Sequence, residues 1–104
     1  MIITFDNKKV ANICNDYRKA LKEVGKQAAE ELEKLMGYLK HVPHIAMFRQ
    51  LPTLKRYKMH ELKGREKGIV SLSITYAYRV TLTVEIKIEE DEINILEVSN
   101  HYGD

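Results

Sequence analysis

From Tyr78 to Glu89 apolar and polar residues alternate without a break. Tyr78, Val80, Leu82, Val84, Ile86 and Ile88 share one parity, and Arg79, Thr81, Thr83, Glu85, Lys87 and Glu89 share the other. A period of two belongs to an extended strand with one face on a core and the other toward water. The stretch therefore needs a second layer to cover its apolar side. Neighbouring segments repeat the pattern in shorter form. Val70, Leu72, Ile74 and Tyr76 alternate with Ser71, Ser73 and Thr75, and a short turn near Ala77 joins them to the long strand. Glu90-Asp91-Glu92 reads as the next turn, and Ile93 to Ser99 as the last strand. Tyr57 to Leu62 reads as a further strand, followed by the loop Lys63 to Gly68 with its two glycines.

The covering layer is written in the first half of the chain. Ile2-Ile3-Thr4-Phe5 reads as a short strand, and Asp6 or Asn7 can cap the helix that follows. Val10, Ile13, Cys14, Tyr17, Leu21 and Val24 recur at three- and four-residue spacing, which places them on one stripe. Gly25 interrupts the stripe where a helix would end. Ala28, Leu32, Leu35, Met36 and Leu39 form a second stripe, closed by Gly37 and His41-Val42-Pro43. Residues 43–56 read as an irregular connection with one short turn. The order β-α-α-β-β-β-β predicts an α+β fold: an N-terminal strand and a helical hairpin packed on one face of a mainly antiparallel sheet. The 104 residues suit a single domain over 1–104.

Several function classes are disfavoured. There is no phosphate-binding glycine loop, dinucleotide fingerprint or paired-histidine metalloprotease motif. His41-x-x-His44 lacks a cysteine partner and reads as two ordinary histidines, so neither metal nor cofactor is expected. Cys14 is the one cysteine; on the apolar stripe it reads as a small core residue, and it gives no reason to expect an oxidising compartment. With no leader and no run of about 20 apolar residues, the expected location is the cytoplasm, without a membrane.

Charge distribution is more telling than the net charge of +2. Residues 40–80 carry nine Lys/Arg against two acids, whereas residues 81–104 carry seven acids against Lys87. A concentrated basic zone is the footprint of a phosphate-binding surface. Within it, Arg79 lies on the polar parity of the most regular strand. Lys63, Arg65 and Lys67 lie on the glycine loop, His60 precedes that loop, and His101 and Tyr102 follow the last strand. RNA cleavage by the ribose 2′-hydroxyl needs a group to take a proton, a group to give one, and cations for the charge growing on the phosphate. Histidine can do either proton job near neutral pH, and Arg or Lys supplies the charge.

Met59-His60-Glu61-Leu62-Lys63-Gly64-Arg65-Glu66-Lys67-Gly68-Ile69-Val70-Ser71-Leu72-Ser73-Ile74, then Tyr78-Arg79-Val80, then Glu97-Val98-Ser99-Asn100-His101-Tyr102, resembles the HigB branch of the RelE/ParE toxin superfamily. The resemblance implies a toxin of a type II toxin–antitoxin pair, a metal-independent endoribonuclease that cuts mRNA on the ribosome. It also implies contacts to 16S ribosomal RNA and a cognate helix-turn-helix antitoxin of the HigA kind. Carried over by position, Lys67 and Arg79 would be phosphate-binding cations, His60 would line the site, and His101 would carry a proton or position substrate. Lys63, Arg65 and Tyr102 would contact substrate. Three residues depart from the family pattern. Arg65 stands where an aspartate is common, and Ser99-Asn100 stand where Asp-Tyr precede the last histidine. Two other functions compete: a ParE-like gyrase inhibitor on the same fold, and a non-catalytic RNA-binding module. The second would be expected to show stacking aromatics on its open sheet face. In the long strand that face is Arg79, Thr81, Thr83, Glu85 and Lys87.

Overall fold

The first helix starts where the sequence supplies a cap. Asn7 has extended backbone, and its side-chain oxygen accepts from the Val10 N–H at 3.0 Å, so one free donor of the first turn is satisfied. In the computed structural model, which describes residues 1–50 and 56–100, β1 (Ile2–Phe5) leads into α1 (Lys8–Asn15). One helix was expected across the whole stripe from Val10 to Val24. Asp16 interrupts it: its backbone is extended, and its carboxylate accepts from the N–H groups of Arg18 and Lys19, starting α2 (Tyr17–His41) afresh. The restart shifts the helical phase. Ala20 takes the buried position, and Tyr17 and Leu21, expected on the stripe, are exposed.

Gly25 breaks α2 at the expected place, with φ 85° and ψ 170°, a left-handed conformation that glycine adopts without steric cost. Beyond it Ala28, Ala29, Leu32, Leu35, Met36 and Leu39 are all buried. The two helical arms form the expected hairpin, with Ala20, Ile13 and Cys14 facing the same groove as Ala29, Leu32 and Met36. Residues 43–56 hold more order than an irregular connection. They contain α3 (Ile45–Gln50).

Among the described residues five strands form one sheet in the order β1-β5-β4-β3-β2, with β2 (His60–Glu61), β3 (Val70–Ser73), β4 (Tyr78–Glu85) and β5 (Glu92–Asn100). Only the β1–β5 pair is parallel. Leu72, Val80, Leu82, Ile93 and Ile95 are fully buried, in one cluster with Leu32, Leu35, Leu39 and Phe48. The fold is thus α+β, with the helical hairpin on one face of a mainly antiparallel sheet, as the residue pattern predicted.

The strands are shorter than their alternation. Tyr57 is not in a strand: like Arg56 it has helical backbone, and it is buried, stacked on Phe48 at 6.5 Å and edge-on to Tyr38 at 6.3 Å. Arg56 grips Glu31 of α2 through both carboxylate oxygens. β3 ends at Ser73 because the next residues make the turn. The N–H groups of Ile74 and Thr75 both donate to the Tyr78 carbonyl, and Tyr76 is 94% exposed. β4 was expected to run to Glu89 but stops at Glu85. Its partner β5 begins at Glu92, opposite Glu85, so beyond that pair no neighbour remains to bond. Ile86 and Ile88 are left 77% and 101% exposed.

Asp91 ties the β4–β5 loop to the helical layer. Its buried carboxylate accepts from the Ile45 N–H at 2.8 Å and the Lys87 N–H at 3.3 Å, with His44 Nδ1 at 3.7 Å. Its main-chain carbonyl accepts from Ile2. The Ile45 N–H, helped by Lys87 and His44 against the opposing effect of burial, holds the carboxyl below its usual range. A depressed folded-state pKa stabilises the fold above the unfolded value of about 3.9. That contribution is lost as pH falls through the folded value. Asp91→Asn is therefore expected to lower the urea midpoint at neutral pH and to flatten its decline below about pH 4; equal acid sensitivity in the two proteins would contradict this role. Among the described residues no helix is long and apolar enough to cross a membrane.

Candidate active site

The candidate site lies on the sheet face turned away from the helical hairpin. Residues paired across an antiparallel ladder share a face, so the register defines its rows. One row runs His60, Ser71, Thr81, Glu97 across β2, β3, β4 and β5. The next runs Ser73, Arg79, Ser99. Arg79 is half-buried on the central strand, so its root is fixed by bonded neighbours on both sides. His60 and Arg79 are two strands and two residues apart, which puts their Cα atoms about 12 Å from each other. Their side chains can converge on one phosphodiester between them.

A bulge makes this face continuous. Thr81 pairs with Glu97 and Leu82 with Ile95, so Leu96 has no partner. One extra residue reverses the parity of everything after it. Ile93 and Ile95 face the core before the bulge, Val98 packs against it afterwards, and Glu97 and Ser99 are brought beside Arg79. Ser71, Thr81 and Glu97 were not expected among the site residues, and Ser99 entered only as a departure from the family pattern. Ser71 and Thr81 were legible as polar partners in adjacent alternating strands. Glu97 was not, because alternation counted from Ile93 puts it on the core side.

His60 is exposed, and its Nδ1 lies 2.8 Å from the Lys58 carbonyl. A carbonyl only accepts, so Nδ1 carries the proton and the neutral ring keeps its lone pair on Nε2. That is the tautomer of a proton acceptor. Lys58 makes the contact possible through left-handed backbone (φ 48°) between Tyr57 and β2.

The glycine loop is ordered but sits elsewhere. Gly64 to Glu66 form one tight helical turn, Leu62 N–H donates to Ile69, and Glu61 Oε1 accepts from Gly68 N–H at 2.9 Å. Lys63, Arg65 and Lys67 are all exposed. The loop springs from the Glu61–Val70 end of the hairpin, whereas Arg79 pairs with Ser73 at the other end. The structure therefore unites Arg79 and His60 on one face and puts the loop cations about 10 Å or more along the sheet. His101 and Tyr102 lie outside the described residues. They follow Asn100, whose partner Tyr78 adjoins Arg79.

Other reactive groups have structural roles. Burial pushes the Cys14 thiol up to about 12, with Lys40 opposing, so it is no thiolate at neutral pH. Burial likewise pushes the Tyr57 hydroxyl up to about 12. His41 Nδ1 bonds the Gly37 carbonyl at 2.7 Å and His44 faces Asp91, so the two histidines turn to different partners.

No family model matches the sequence, and no curated protein matches it. Solved structures do. A YoeB/ParE toxin from Agrobacterium tumefaciens aligns over 98% of this chain and 100% of its own, at 22% identity and a TM-score of 0.64. YafQ in the DinJ–YafQ complex of E. coli aligns over 95% of this chain and 91% of its own, at 18% identity and 0.60. A chain of the YoeB–YefM complex from Staphylococcus aureus aligns over 98% of both, at 22% identity and 0.58. The chain has the fold of these YoeB/ParE and YafQ structures. The likeness extends over nearly the whole chain, so the helical hairpin and all five strands belong to the shared toxin fold rather than to an addition.

Proposed function

We propose that this chain is the toxin of a type II toxin–antitoxin pair and an endoribonuclease that cuts mRNA during translation. The observation that carries this reading is Arg79 on the central strand, sharing an open sheet face with His60 in its proton-accepting tautomer. In the proposed reaction His60 Nε2 takes the proton of a ribose 2′-hydroxyl. The 2′-oxygen forms a bond to phosphorus, the bond from phosphorus to the 5′-oxygen breaks, and a 2′,3′-cyclic phosphate results. Arg79 forks over the phosphate oxygens as charge builds on them. The leaving 5′-oxygen takes a proton from a second donor, a role we assign to His101. Lys63, Arg65 and Lys67 hold the strand farther along by charge alone, and Tyr102 contacts substrate. The residue pattern of 59–80 favours the HigB branch, with a helix-turn-helix antitoxin as partner. The solved DinJ–YafQ and YoeB–YefM complexes support an antitoxin partner in general.

Two features bear on the competing functions. Among the described residues this face carries His60, Ser73, Arg79, Thr83, Glu97 and Ser99, with Ser71 and Thr81 buried between them, and no Phe, Tyr or Trp, so it lacks the stacking platform of an RNA-binding sheet. A gyrase inhibitor would need no proton acceptor beside a phosphate-binding arginine. Induction of the wild-type chain is expected to arrest growth and to produce new cuts inside translated codons of a reporter message, read by primer extension. Arrest with a DNA-damage response and intact message would replace this reading with gyrase inhibition.

A further inference from the structure

The end of the molecule opposite Arg79 carries an apolar patch with an acidic rim. Ile86 and Ile88 are the two most exposed aliphatic side chains of the described residues. They line an open groove of about 780 Å³ with Ile2, Pro43, Lys87, Glu89 and Glu90. Isolated exposed apolar residues are ordinary, but adjacent ones rimmed by charge mark contact surfaces. Here the two isoleucines keep the parity of the buried β4 residues past the point where pairing stops. They are patterned for burial, yet no described residue buries them.

The charge around them selects the occupant. Residues 85–92 hold five acids and one lysine. Lys87 is taken by Glu92 at 2.8 Å and Glu90 meets the Met1 ammonium at 2.8 Å. Glu85 and Glu89 form no ion pair among the described residues. Such a rim repels RNA and anionic lipid alike. A two-fold dimer through this patch would set the same acids against themselves. Arg79 is seven residues back along β4, more than about 20 Å away, so an occupant here leaves the candidate active site uncovered.

We propose that the groove beside Ile86 and Ile88 docks a segment of a second protein whose contact face combines aliphatic side chains with lysine or arginine. The isoleucines supply the buried area and the acids set which partner is accepted. The proposal goes beyond the nuclease reading and stands whether or not the chain cuts RNA.

The test is an NMR titration of the full chain with a short synthetic peptide alternating valine and lysine, beside the same peptide with glutamate for lysine. The expected result is saturable perturbation centred on residues 86–90 and Ile2 with the lysine peptide alone. The double substitution Ile86→Ser and Ile88→Ser, with an unchanged melting temperature, should weaken it by about 10-fold or more. Absence of saturable binding up to about 1 mM overturns the proposal, as does equal binding by the double variant, which would mean attraction by charge alone. A dimer in sedimentation velocity that the double substitution dissolves would overturn it in favour of contact between copies of this chain.

Discussion

Arg79→Ala is expected to slow message cleavage by about 100- to 1,000-fold, the usual cost of removing a preorganised group that meets charge developing in the transition state. The argument rests on where the residue is rooted. Arg79 is the second residue of β4, bonded to β3 through Ser73 and to β5 through Ser99, so the root of its side chain is already fixed when the substrate arrives. Arg79→Lys keeps the charge and loses the planar fork, and should recover part of the rate. If the alanine variant lost activity only by unfolding, its urea midpoint would fall in step and the lysine variant would not separate charge from structure. Matched midpoints with unequal rates are the expected outcome.

The largest effect on stability is expected at Leu82. It is fully buried at the middle of the sheet, opposite Val70 and Ile95. Truncating a buried leucine to alanine costs about 2–5 kcal/mol, against roughly 5–15 kcal/mol for a whole domain. Leu82→Ala should therefore lower the melting temperature by roughly 10–30 °C. Ile88→Ser, on the same parity six residues later, should change stability by less than about 0.5 kcal/mol. Thermal denaturation of the pair checks where β4 ends: a large cost at Ile88 would mean that its side chain is covered in the isolated chain.

This contrast shows how far the residue pattern carried. Alternation in Tyr78 to Glu89 identified the strand, its core face and the placement of Arg79 opposite that face. It could not mark the end at Glu85, because the strand stops where its neighbour runs out, and that is a property of β5. The helical stripe likewise located the hairpin and its turn at Gly25. It missed the break at Asp16, because an aspartate within a polar stretch serves as readily on a helix surface as at a new N-cap. Tyr57 was expected in a strand with its neighbours, whereas it has helical backbone and packs on Phe48 and edge-on to Tyr38. In the candidate site, Arg79 was legible because it sits in the most regular strand, and His60 because it precedes the glycine loop. The bulge at Leu96, which sets the face of Glu97 and Ser99, was not legible, and the loop cations lie farther from Arg79 than their place in the sequence suggested.

The most direct measurement is cleavage of a defined message on purified ribosomes by the wild-type chain and by Arg79→Ala, at equal folded concentration and without added metal chelate or cofactor. Cuts within the ribosome-bound codon by the wild type, ending in a 2′,3′-cyclic phosphate and falling by about 100-fold or more in the variant, are the expected result. Intact message with the wild-type chain, or cuts made equally well without Arg79, would contradict a site built on this face.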